Sequence, residues 1–158
     1  MNSKKIKILI TAVSLIVLVF ALTQNSIVVK FNDEIKVMPS LDYFLMGAIS
    51  FMGGGLLEEI IWLANPLSLY AIILLFKNNK NAEVLSCLAL GLSVSFFFWK
   101  EILGSESGSM AQIISFELGY YLWLLSILIL TVSIFIYFKK LNSCFFRSYF
   151  PFKNLLFF

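Results

Sequence analysis

Hydrophobic positions in this chain fall in long unbroken blocks, separated by short polar stretches. Between Lys7 and Lys30 lie 22 uncharged residues, and between Glu117 and Lys139 lie 21. About 20 apolar residues in a helix cross a hydrocarbon core roughly 30 Å thick, so both blocks predict membrane-spanning helices. Two shorter blocks, Ile60–Phe76 with 17 residues and Val84–Trp99 with 16, reach that length once a flanking charged side chain sits in the headgroup layer. The pattern predicts an all-α membrane protein with four transmembrane helices, about 8–25, 56–76, 83–100 and 118–138. Residues 1–140 form its single transmembrane domain. Lys4, Lys5 and Lys7 before the first block also suit a secretory signal. That apolar run, Ile8 to Thr23, is longer than the usual 7–15 residues of a signal core, which favours an uncleaved anchor.

The polar stretches predict smaller elements. Ser26–Phe31 and Glu34–Met38 flank Asn32-Asp33, a pair that suits a two-residue hairpin turn, so the stretch reads either as a short extracytoplasmic β-hairpin or as a plain linker. Pro39-Ser40-Leu41-Asp42 reads as a helix start, capped by Ser40 or Asp42, for a half-helix running from Tyr43 towards Met52. Gly53-Gly54-Gly55 weakens any continuation into the second span, which makes the half-helix interfacial, although a re-entrant segment or one long broken helix remains open. Pro66 has no N–H for the carbonyl of Trp62, so a kink is predicted inside the second span, with Asn65 beside the freed backbone. In the third span Ser86 and Ser93, with Ala89 and Ala82, are the small residues expected to line a helix–helix interface. Lys100–Glu117 reads as a flexible loop around Gly104–Ser109, and it lacks the Lys-Ser/Thr of a phosphate loop. The last stretch, 141–158, mixes seven aromatics with Arg147 and Lys153 and reads as a cytoplasmic tail along a membrane surface.

Composition agrees with the blocks: 60% of residues are hydrophobic and 13% charged, against roughly 25% charged in ordinary soluble domains. Charge fixes the expected orientation. The termini and the Lys77–Glu83 turn carry nine of the twelve lysines and arginines with one acid, whereas the other side carries Lys30, Lys36 and Lys100 with eight acids. By the positive-inside rule, both termini are cytoplasmic in a multi-pass protein of the cell membrane. Trp62, Trp99 and Trp123 then fall at the outer interface with Tyr120 and Tyr121, as an aromatic belt does.

Catalytic chemistry finds little support. The chain has no histidine, hence neither the commonest general base nor the commonest metal ligand, and Cys87 and Cys144 have no motif spacing. No catalytic residue, cofactor or metal site is expected, and no nucleic-acid partner. The one polar irregularity at membrane depth is Glu58-Glu59 with Asn65 and Pro66. A carboxylate there binds a cation or proton, pairs with Lys100 at the outer end of the third span, or sits at the positive end of a helix dipole. Glu58-Glu59 is similar to the glutamate pair that opens the motif of intramembrane CAAX-type proteases. Those enzymes continue with an arginine three residues on and with histidines, where this chain has Trp62, Leu63 and no histidine.

The runs Glu59–Leu67, Lys100–Leu103 and Gly119–Leu124 resemble an uncharacterised family of small polytopic bacterial membrane proteins, over roughly Gly47 to Tyr137. That resemblance implies a bacterial inner-membrane protein and carries no activity. Phe20–Asn25 with the following strand resembles the membrane exit of lipopolysaccharide-assembly A-like proteins. The expected function is non-enzymatic, through contacts with other membrane components besides the lipid bilayer, as an accessory subunit or protective protein. A homo-oligomer or a membrane-protein partner fits that role. The alternative is an oligomeric channel or transporter component using Glu58 or Glu59.

Overall fold

The computed structural model describes residues 3–104 and 109–149. The chain is mostly helical, at 69%. Among the described residues, four helices are long and apolar enough to cross a membrane: Ser3–Leu22, Leu56–Phe76, Asn81–Phe98 and Leu118–Lys140. The first is α1 (Ser3–Leu22), and a short α2 (Ser40–Gly47) precedes a 3₁₀ turn over Ser50–Gly53. The second long segment is divided at Leu63 into α3 (Leu56–Trp62) and α4 (Ala64–Phe76). Then come α5 (Asn81–Ser95), continued by a 3₁₀ turn, and α6, whose helix runs from Leu118 to Tyr149. The second segment coincides with the expected 56–76, whereas the first starts earlier than expected, at Ser3, and also ends earlier, at Leu22, because Asn25 already begins a strand. Over the first part of the expected tail the backbone continues α6 to Tyr149, while 150–158 lie outside the described residues.

Sheet content exceeds the expected hairpin. β1 (Asn25–Phe31) and β2 (Glu34–Pro39) pair antiparallel, Phe31 opposite Glu34. Asn32 and Asp33 both take positive φ, 48° and 65°, the geometry a right-twisted two-residue hairpin demands. The stretch expected as a flexible loop instead supplies β3 (Glu101–Leu103) and β4 (Met110–Phe116). β4 lies between β3 and β1, giving the order β2-β1-β4-β3. Its physical reason is an isolated hairpin's marginal stability in water. Through β4 the first hairpin gains a third strand and an apolar underside, with Ile27, Val29, Ile102 and Ala111 buried against Phe96 and Tyr120.

The bundle is a row in which α6 packs along both α1 and α5, and α5 packs along α4, whereas α1 meets α4 sparsely. The buried residues of α5 are Ala82, Ser86, Ala89 and Ser93. This is the predicted small-residue stripe; its serine hydroxyls donate to carbonyls of α5 itself, and its own carbonyls accept from α6. Thr131 Oγ1 donates to the Ser86 carbonyl at 3.1 Å and Tyr120 Oη to the Ser93 carbonyl at 3.0 Å. At the end opposite the sheet, the buried Lys7 donates from Nζ to the Phe76 carbonyl at 3.0 Å. Tyr137 Oη there donates to Asn78 Oδ1 at 2.7 Å. The start of α1, the α4–α5 turn and the later part of α6 thus share one end of the bundle.

Candidate functional site

The break at Leu63 follows from Pro66, which leaves the Trp62 carbonyl without its intrahelical donor. Asn65 supplies the substitute: Nδ2 donates to the Trp62 carbonyl at 3.1 Å, while Oδ1 accepts from Trp123 Nε1 at 2.8 Å. One amide therefore satisfies the freed backbone and ties α4 to α6. Trp62 points the other way. Its Nε1 donates to the Phe44 carbonyl at 2.9 Å, and its ring lies so close to Gly47 that any side chain there would collide with it. Two of the tryptophans expected in an aromatic belt thus commit their N–H groups inside the protein.

Glu58 and Glu59 open α3 and are both half-buried. Neither caps the helix through a side-chain bond; Gly55 is the N-cap residue. Glu58 Oε1 accepts from the backbone N–H of Leu103 in β3 at 2.8 Å, so this carboxylate fastens the sheet to the bundle. Glu59 Oε2 accepts from Ser50 Oγ at 3.1 Å, which holds the 3₁₀ turn against α3. The pairing with Lys100 is not formed. Lys100 has an exposed side chain, and its carbonyl accepts from Ile113 N at 2.8 Å within the sheet. The cap expected from Ser40 or Asp42 is also absent: Pro39 occupies the N-cap position without a side-chain bond. Instead, the Ser40 N–H donates to the Gln24 carbonyl at 2.9 Å, and Ser40 Oγ is buried with no partner. It abuts Gly119, where a Cβ would strike it.

Between the end of α1, α2, the α3–α4 break and the start of α6 lies a partly open cavity of about 100 Å³. Glu58 and Asn65 border it, among walls that are mainly apolar. Tyr43 lies there too, and its hydroxyl is pushed well above the ordinary tyrosine range, first by burial and then by the Glu58 charge nearby. The sequence singled out Glu58 and Asn65 but missed Tyr43, Phe44 and Trp123 as lining residues. Each reads locally as an ordinary apolar or interfacial residue, and only the return of α6 to the α3–α4 break brings them together. Among the described residues, no three metal-ligating side chains converge. No family model, curated protein or solved structure matches the chain.

Proposed function

We propose that this chain is a small, non-enzymatic, multi-pass protein of the bacterial cytoplasmic membrane that acts through contacts with other membrane components, as an accessory subunit or protective protein. One observation carries the reading: the Glu58 carboxylate, the strongest candidate for transport chemistry, is bonded to the Leu103 N–H. Glu58 braces the sheet to the bundle, and the Trp62 bond to the Phe44 carbonyl holds α2 beside it, so that together they form a fixed cap. Exposed apolar side chains on that cap, among them Leu45, Met46, Phe51 and Met52, suit an interfacial position for α2 and the 3₁₀ turn. Four spans with both termini cytoplasmic put the lysine-rich bundle end inside and the cap outside.

Cysteine labelling tests this placement in a chain with Cys87 and Cys144 changed to serine. With Ser107→Cys an impermeant thiol reagent should react from outside, and with Asn79→Cys it should not; the reverse pattern overturns the orientation. The channel alternative keeps one supporting observation, that Glu58 borders the cavity. Reconstituted vesicles decide between the two. Flux that disappears in Glu58→Gln but persists in Glu59→Gln would replace the contact reading, and absence of flux across a range of pH eliminates the alternative.

A further inference from the structure

Among the described residues fifteen line the cavity, of which six are aromatic, one is acidic and none is basic. The aromatics are Tyr43, Phe44, Trp62, Phe96, Tyr120 and Trp123. They come as neighbours rather than as scattered rings: Phe44 and Trp62 have centroids 6.4 Å apart, Tyr120 and Trp123 6.1 Å, and Phe96 and Tyr120 5.8 Å. Aromatic faces carry the negative part of a quadrupole and attract a cation within about 6 Å of the centroid. Glu58 adds a full negative charge. Its Oε1 is bonded to Leu103 N, yet a carboxylate has further acceptor sites on both oxygens. An apolar, ring-walled cavity with one acid repels anions, desolvates a metal ion without replacing its ligands, and suits a large, weakly hydrated cation.

We propose that this cavity binds an organic ammonium cation carrying an apolar body, with the charged nitrogen held by the rings and Glu58. This deepens the contact reading, because it names the chemistry of what is contacted; binding fails or succeeds independently of the labelling pattern.

The full chain in phosphatidylglycerol nanodiscs is titrated with benzyltrimethylammonium and, separately, with its uncharged isostere neopentylbenzene, following fluorescence of Trp62 and Trp123. The expected result is saturable binding of the cation, at least tenfold tighter than of the isostere, and lost by a similar factor in Glu58→Gln. Equal affinity for the two probes, or no saturable change, overturns the proposal. Glu58→Gln also weakens the Leu103 tie, so Phe44→Leu provides a second variant that keeps the wall apolar. It should weaken the cation several-fold and leave the isostere unaffected, and an unchanged cation affinity counts against the site. Repeating the titration in nanodiscs of equal phosphatidylglycerol content, diluted with either phosphatidylethanolamine or an uncharged galactolipid, separates the sources at constant surface charge. A lower apparent affinity in the phosphatidylethanolamine discs assigns the occupant to the membrane's own amine lipid, and equal affinity assigns it to a free ammonium compound.

Discussion

Trp123 donates its indole N–H to Asn65 Oδ1 at 2.8 Å, while the same Asn65 amide donates to the Trp62 carbonyl that Pro66 leaves open. A helix defect and a helix–helix contact are thus satisfied by one side chain. Asn65→Ala orphans an N–H and a carbonyl together and should cost about 1–3 kcal/mol. Trp123→Phe removes only the donor and should cost less. Thermal melts of the two single variants and the double variant in detergent check this, and fully additive losses would show that the pair is not coupled.

Gly119 starts α6 where a Cβ would meet both Ser40 Oγ and the Asn25 carbonyl. Gly119→Ala should destabilise strongly, and adding Ser40→Ala should recover only part of the loss because the Asn25 carbonyl stays in the way. Ser40→Ala alone removes a buried hydroxyl that has no partner. It should leave stability unchanged or raise it by up to about 1 kcal/mol, read as a shift in Tm.

Asn32 and Asp33 both hold left-handed backbone, which glycine adopts without a Cβ penalty and valine resists. Asp33→Gly should stabilise the hairpin by up to about 1 kcal/mol, since Asn-Gly is the preferred pair for this turn. The exposed Lys30–Asp33 ion pair at 2.9 Å is too solvated to offset that gain. Asn32→Val should lower Tm.

Lys7 Nζ caps the Phe76 carbonyl and lies 5.5 Å from the centre of the Tyr137 ring. Lys7→Met keeps the apolar stem and removes both contacts, together with the favourable interaction of a cation with the C-terminal end of α4. A loss of roughly 1–2 kcal/mol is expected, with hydrogen exchange quickening first at the ends of α1 and α4. Uniform exchange across the bundle would place the effect elsewhere.

Tyr43 gives the pH dependence a sign. Burial and the Glu58 charge raise its hydroxyl above the ordinary value, which is about 10. The folded state therefore holds this proton more tightly than the unfolded chain does. Stability from Tyr43 is fully present below about pH 10 and is lost as pH rises beyond it. Tyr43→Phe should flatten the alkaline arm of a Tm-against-pH curve; an unchanged arm would place its origin in other groups.

The four long helices, the break before Pro66, the Asn32-Asp33 turn and the small-residue face of α5 were all legible in the sequence. Each is set locally: by the length of an apolar run, by a missing N–H, by tolerance of positive φ, or by residues recurring every three or four positions. What the sequence could not reveal depended on partners far along the chain. β3 and β4 read as a loop because a three-residue strand and a Gly-Ser-rich connector have little pattern of their own, and they became strands by pairing with one another and with β1, some 80 residues earlier. Glu58 was recognisable as a charge at the head of a long apolar helix, but its acceptance of the Leu103 N–H needed the sheet to exist first. The ring-walled cavity has the same origin. Its aromatics belong to four separated stretches, each unremarkable in itself, and packing α6 between α1 and α5 is what sets them around one space.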